Sequence, residues 1–402
     1  MSVLFEKTTI KGMELKNRLV RSATHEGMAD RNGFPTQDLF RLYERLAKGG
    51  VGLIITGFAF VAPDGMCPFV GMQGIDTDEH IPRYRELVQV VHENGARIAM
   101  QIAHCGRQTT REAMGTEPIG PSAVKEKSLF VRPREMTEED IERIIEAFAQ
   151  AACRVKEAGF DAVQIHGAHG YLVNQFFCPH TNIRKDRWGG SLENRMRFVR
   201  TIYERCRQQV GDDFPILIKI NGNDNMKDGL KIEESAVMAQ MMGEMGFDGI
   251  EVSCGIMEDG YSTLRGNVPV EVILGEWPMY RDKNPLFRFI MKHFGRRIIK
   301  PPPMNQAYNR ESARIIKNKV KVPVFLVGGI TDPTRMEEII EKRDADYISL
   351  CRALIADPSF PEKIRSGSRD LSKCIHCNLC GAYMISRPLK CYYGKIIETN
   401  MS

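Results

Sequence analysis

The chain has 402 residues, 43% of them apolar and 27% charged, with a formal net charge of +5. That length can bury a large core, and charges of both signs are interspersed without an aromatic-studded basic stripe, which excludes nucleic acid as a partner class. No apolar run reaches the length of a bilayer span and residues 1–17 lack the apolar core of a signal peptide, so no membrane partner is expected and the expected location is cytoplasmic.

In chain order, short β-branched runs alternate with longer amphipathic stretches. The runs cover 18–24, 52–61, 97–104, 162–168, 216–222, 249–255, 324–330 and 347–354. Helices are predicted over 38–48, 80–94, 138–157, 192–210, 233–245, 309–317 and 333–342. Thr137 with Asp140 and Ser191 with Asn194 have the spacing of N-terminal caps, and Gly159 and Gly246 sit where a left-handed C-cap favours glycine. Eight strands with intervening helices predict an α/β fold of the (β/α)8 TIM-barrel type, in preference to an open doubly wound sheet.

Two stretches interrupt the alternation, 106–136 and 256–307. Both are predicted to be long loops without a period of their own, emerging on the C-terminal face of the barrel and roofing a site there. The second, an insert after strand six, contains Tyr261, Trp277, Tyr280, Phe287 and Phe289. Those aromatics suit a bulky apolar ligand and suit core packing equally well. Its Arg296-Arg297 pair reads as solvated surface charge or as a contact for a cofactor phosphate. The domain reading is a barrel over 1–366, lid insert included, and a cysteine-rich C-terminal extension over 367–402.

The chemistry concentrates at the ends of the runs. The fourth closes on His166, His169 and Tyr171. At the C-terminal end of a barrel strand two imidazoles can donate to one oxygen and a phenol can deliver a proton, whereas the plain alternative is a turn with one histidine capping a helix. Gly328-Gly329 ends the seventh run and Cys351-Arg352 the eighth, where barrels commonly build phosphate sites from uncovered backbone N–H groups and a guanidinium. Lys219 is a charge inside an apolar run and needs a partner, which an anionic ring or phosphate could supply. Gln101 is a polar side chain at another strand end. Of the eleven cysteines, most stand singly in apolar surroundings. Cys374, Cys377, Cys380 and Cys391 instead have spacings typical of metal or cluster ligation.

Asn17-Arg18, the segment from Gln101 through His104 to Arg107, the His166–Tyr171 cluster, the segment from Trp188 to Asn194-Arg195, Gly328-Gly329 and Arg352 together resemble the old yellow enzyme family of FMN-dependent oxidoreductases. The similarity runs in order from about residue 3 to 366. The resemblance implies an FMN held non-covalently at the top of the barrel, with Ser22, Ala23, Thr24, His25, Ala59, Gln101 and Lys219 around the ring system. It implies a phosphate held by Gly328, Gly329, Cys351 and Arg352. His166 and His169 would bind a substrate carbonyl oxygen and Tyr171 would donate the proton. Where some relatives carry cysteine or threonine this chain has His25, and no cysteine lies in that loop, so no covalent flavin is expected there.

The tail resembles the segment after the barrel in the 2,4-dienoyl-CoA reductase and trimethylamine dehydrogenase branch, in which four cysteines ligate a 4Fe-4S cluster. Zinc and unligated thiols remain alternatives. Those relatives continue into further domains; a cluster here could serve an external electron carrier or stabilise the tail. The leading expectation is an ene-reductase that takes electrons from NADH or NADPH through FMN to an α,β-unsaturated carbonyl compound. An amine dehydrogenase or demethylase using the same flavin is the alternative, and a flavin-free barrel forming a Schiff base at Lys219 is a third reading.

Overall fold

The computed structural model describes residues 2–259 and 262–394. Eight parallel strands, β1 (Leu19–Arg21), β2 (Leu53–Ile55), β3 (Arg97–Ala103), β4 (Ala162–Gly167), β5 (Ile216–Asn221), β6 (Gly249–Ser253), β7 (Val324–Val327) and β8 (Tyr347–Leu350), pair in sequence order. β8 pairs back onto β1, which closes the barrel. The outer ring consists of α1 (Gln37–Lys48), α2 (His80–Glu93), α3 (Glu138–Glu157), α4 (Leu192–Val210), α5 (Ile232–Met245), and, beyond the insert, helices Arg310–Lys317 and Pro333–Glu341. The (β/α)8 expectation therefore holds, and its strands and helices fall within a few residues of their predicted bounds except for the second run. Expected over 52–61, that run has a barrel strand that ends at Ile55 and is followed by a separate two-residue strand, Ala59–Phe60. The eighth run overshoots, because Arg352 begins a short helix, Arg352–Ala356.

The caps act as their residue types require. Thr137 and Asp140 form a reciprocal capping box at the start of α3. The Ser191 hydroxyl accepts from the Asn194 N–H at α4. Alternation along the strands then divides the interior. Val20, Leu53, Ala99, Ala162, Leu217 and Phe325 form an apolar layer inside the barrel, closed from below by Ile10, Met13 and Leu15 of an N-terminal hairpin. Val163, Ile165, Ile216, Ile218, Ile250 and Val252 point outward against the helices. Two residues further along each strand, the inward positions become Gln101, Gln164, Lys219 and Glu251. The polar floor of a site thus lies directly above a dry layer.

The insert corrects one expectation. Rather than a structureless loop, it contains helices Val270–Glu276, Pro278–Arg281 and Pro285–Ile298. Phe287 and Met291 pack with Val270, Ile273 and Leu274 in an apolar cluster of their own, separate from the barrel core. The long 106–136 segment likewise carries a helical turn, Arg111–Met114, and a pair of two-residue strands, Ile119–Gly120 and Arg134–Glu135. Tyr261 lies outside the described residues. The tail crosses the same face, where the Trp277 indole N–H donates to the Ala382 carbonyl at 2.8 Å and the Leu389 N–H to the Glu26 carbonyl at 2.7 Å.

Candidate active site

The C-terminal mouth of the barrel holds a cavity of about 290 Å³, near the small end of the range of about 300–1,000 Å³ for small-molecule sites. Of the residues singled out in the sequence, Ser22, Ala23, Thr24, His25, Gln101, His166, His169, Tyr171, Lys219, Gly328, Gly329, Cys351 and Arg352 all line it. Ala59 does not. It pairs with Ile102 and packs in the barrel core, and the alternation of the extended chain turns its neighbour Phe58 into the cavity instead.

A chain of hydrogen bonds ties the floor together. The Gln101 amide donates to Gln164 at 2.7 Å, Gln164 donates to Glu251 at 3.1 Å, and Lys219 donates to the Ser22 hydroxyl at 2.9 Å. Lys219 Nζ lies 3.1 Å from Glu251 Oε2, and both side chains are fully buried. The partner that Lys219 requires is therefore supplied from within the protein, by the neighbouring strand. Glu251 Oε1 has no partner, nor does the buried Ser349 hydroxyl that edges the cavity. Unpaired polar atoms of this kind suit a polar ligand.

His166, His169 and Tyr171 stand on one side. The imidazole rings lie 5.1 Å apart and perpendicular, and the phenol ring is 4.9 Å from His166. The loop that carries them is pinned: the Gly170 N–H donates to Asn174 at 2.8 Å, the Gln175 amide donates to the Gly170 carbonyl at 2.7 Å, and the His169 N–H donates to Asn221 at 3.2 Å. His169 itself has a left-handed backbone, φ +61°. The Ala168 N–H donates to His166 Nδ1 at 3.4 Å, which leaves Nε2 to carry the proton. His169 Nε2 lies 2.7 Å from the Ser253 hydroxyl.

Burial sets the protonation states. It drives His166 well below the usual histidine range, helped by the positive charges of His169 and Lys219. It brings His169 down to about 3, with Lys219 adding to the shift. It lifts Tyr171 well above the usual phenol range, reinforced by Cys105 and Cys67. At neutral pH the site presents two uncharged imidazoles and a protonated phenol. All three can donate a hydrogen bond, and the phenol can give up a proton to a developing carbanion.

On the opposite side, Gly328 and Gly329 have φ of +147° and +65°, and a Cβ on Gly328 would come within 2.9 Å of the Tyr308 ring and of the Asn309 amide. Only bare backbone fits there. Arg352 lies alongside, its guanidinium donating to the Arg265 carbonyl at 2.7 Å and to Asn378 at 2.6 Å. Glycine backbone, guanidinium and the free Ser349 hydroxyl match the donor chemistry a phosphate requires. The His25 ring sits between Phe58 and Phe69, with Nε2 donating to the Val70 carbonyl at 2.9 Å. Phe69, Met257, Trp277, Tyr280 and Met384 complete apolar walls above the floor. Of these only Trp277 and Tyr280 stand out in the sequence, as insert aromatics.

Cys374, Cys377, Cys380 and Cys391 border a second, smaller cavity together with Arg352, which also edges the first. All four thiols are free. Burial raises Cys374 and pushes Cys380 up to about 12. Among the described residues no three side chains stand at metal-ligating geometry.

These features define a (β/α)8 barrel whose cavity has the donors to hold a phosphorylated ligand. The sequence profile of the NADH:flavin oxidoreductase / NADH oxidase family matches residues 3–270 and 291–370, and the chain belongs to this family, the old yellow enzyme family of oxidoreductases. It is 36% identical over 379 residues to the NADH oxidase of Thermoanaerobacter brockii, covering 94% of this chain and 53% of the relative. To the NADPH dehydrogenase of Geobacillus sp. (strain WCH70) it is 34% identical, covering 90% and 93% respectively. Among solved structures, 2-naphthoyl-CoA reductase in complex with 2-naphthoyl-CoA superposes with a TM-score of 0.83 at 26% identity, over 99% of this chain and 57% of that one. The chain thus spans about half the length of some relatives and nearly all of others. The family implies FMN and a nicotinamide. No helix among the described residues is long and apolar enough to cross a membrane.

Proposed function

We propose that the protein is an FMN-dependent ene-reductase that reduces the carbon–carbon double bond of an α,β-unsaturated carbonyl compound, with NADH or NADPH as the electron source. One observation carries this reading: two neutral imidazoles and a protonated phenol face a single cavity from one rigid loop. FMN bound along the floor, with its phosphate at Gly328, Gly329, Cys351 and Arg352, would supply a two-electron carrier between nicotinamide and substrate.

The imidazole N–H groups of His166 and His169 hold the carbonyl oxygen and stabilise the negative charge that develops on it. One such donor is worth about 3 kcal/mol in a preorganised site. Tyr171, kept protonated by burial, delivers its phenolic proton to the α-carbon. Ser253 and Asn221 orient His169. Lys219 and Ser22 present donors to the anionic edge of the ring system, and Glu251 balances the Lys219 charge from the neighbouring strand. Phe58, Phe69, Trp277 and Tyr280 favour a flat, conjugated acyl group.

The test is anaerobic and in two halves. NADH or NADPH should bleach the flavin, and cyclohexenone or an enoyl thioester should restore its colour. Bleaching by methylamines, with no response to enones, would overturn the reading in favour of an amine dehydrogenase. For the tail, the thiolate set Cys374, Cys377, Cys380 and Cys391 has the composition a 4Fe-4S cluster requires. Iron and acid-labile sulfide in equal amounts, about four of each per chain, support the cluster. Zinc alone would assign a structural site with the same thiolates as ligands.

A further inference from the structure

Helix Pro285–Ile298 is apolar on two faces. One face packs onto helix Val270–Glu276 through Phe287, Met291 and Gly295, where a Cβ would already lie 3.1 Å from Val270. The other face, at 100° per residue, presents Leu286, Phe289, Ile290 and Phe294 to solvent. With Ile298 at its edge, this one helix holds five of the twelve large apolar side chains exposed among the described residues, from 40% for Ile290 to 69% for Leu286. A cluster of exposed apolar side chains of this kind marks an interaction site.

Charge indicates what covers it. Residues 281–300 contain seven Lys and Arg and one Asp, a net charge of +6. The whole chain carries +5, so +5 less +6 leaves −1 for everything else. Lys292, Arg296, Arg297 and Lys300 make no ion pair among the described residues. The patch continues onto a sequence-distant loop. Phe130, 47% exposed, lies 4.1 Å from Lys283 Nζ, and Tyr280 donates to the Ser128 carbonyl at 3.3 Å. That loop adds exposed Lys125, Lys127 and Arg132, and its one acidic residue, Glu126, is buried. Residues 271–290, which include Leu286, Phe289 and Ile290, fall outside the match to the family profile.

We propose that the helix and the Phe130 loop form a docking surface for an anionic lipid bilayer, with the phenylalanines and aliphatic residues inserted among the acyl chains and the basic residues among the headgroups. A second copy is disfavoured as the occupant, because a self-complementary contact would set +6 against +6. A helix and a loop that each expose phenylalanine among basic side chains suit a deformable anionic surface. Trp277 and Tyr280 of the same insert line the cavity, so docking brings its mouth to the bilayer and favours substrates that partition into lipid. The inference stands independently of the reaction proposed above.

The experiment is flotation of the FMN-loaded protein with vesicles of phosphatidylcholine and phosphatidylglycerol in equal parts, against phosphatidylcholine alone. Binding should require the anionic lipid and fall steeply with salt. R296Q/R297Q should weaken it about 30-fold, at roughly 1 kcal/mol per basic residue, and F289S/F294S should weaken it at low and high salt alike. Flavin spectrum and flavin reduction by NADH or NADPH should be unchanged in both variants, which separates lost docking from lost folding. No binding to anionic vesicles, or equal binding by both variants, would overturn the proposal. So would a dimer that F289S/F294S converts to monomer, or vesicles ignored while R296Q/R297Q weakens binding to an acidic redox protein; either would give the face to a protein partner.

Discussion

The floor of the cavity comes from strand ends and its roof from the insert and the tail, and different forces hold the two. In the floor, Gln101, Gln164, Lys219 and Glu251 stand at inward positions fixed by strand register and bond one another across the barrel. In the roof, Trp277, Tyr280, Phe287 and Met291 pack in a small apolar cluster that is only partly buried, anchored by a few bonds such as the one from the Trp277 indole. Directional bonds in a dry setting tolerate little displacement. Apolar contacts accept volume changes at modest cost. The floor should therefore decide whether chemistry occurs, and the roof which substrate is accepted.

Tyr171→Phe should give the largest effect, slowing substrate reduction by about 10²- to 10⁴-fold while leaving flavin reduction by the nicotinamide nearly unchanged. Stopped-flow traces of the two half-reactions check it, and equal slowing of both would remove the phenol from the proton-donor role. Lys219→Met leaves Glu251 buried without its counter-charge and should destabilise the fold by about 3–5 kcal/mol. Adding Glu251→Gln should recover most of that loss in chemical denaturation, as a purely electrostatic defect requires.

In the proposed mechanism His169→Ala removes one donor to the carbonyl oxygen, and it should lower kcat by about 10²- to 10³-fold. Ser253→Ala, which only loosens the imidazole, should cost less. At the roof, Trp277→Ala should raise KM by about tenfold for bulky substrates with little change in kcat. A large fall in kcat would erase the contrast between floor and roof.

The smallest effect is that of pH. His169 is held at about 3 in the folded protein against an ordinary value of 6.5. Between those values the unfolded chain binds the proton that the folded chain refuses. The stability contributed by the neutral ring is therefore intact above 6.5 and is lost as pH falls from there toward 3. The thermal midpoint should decline over that window, while binding of a carbonyl ligand stays level down to about pH 5, since both rings remain uncharged.

Much of the floor is legible in the sequence, because a polar residue that breaks an apolar run demands a reason. Lys219, Gln101 and the His166–Tyr171 cluster announce themselves in this way. Gln164, Glu251 and Ser253 break runs just as clearly, yet only the register of adjacent strands shows that Glu251 meets Lys219 and that Ser253 meets the His169 ring. Ala59 and Phe58 illustrate the converse: alternation makes one of the pair face the cavity, and local sequence does not say which. The insert is the least legible part. Its first two helices, Val270–Glu276 and Pro278–Arg281, are too short to establish an amphipathic period, and the prolines and mixed charge around the third mask where it begins and ends.

What the sequence by itself determined is the alternation of eight strands with helices, the caps that start them, the strand ends where polar residues collect, and the cysteine spacing of the tail. These depend on local periodicity and on backbone preferences, which act over a few residues. Tertiary structure alone decided which polar side chains touch, which imidazole nitrogen carries the proton, how far burial shifts His166 and Tyr171, and that Arg352 borders both cavities. Those properties depend on distances between residues far apart in the chain and on exclusion of water, and both exist only once the barrel has closed.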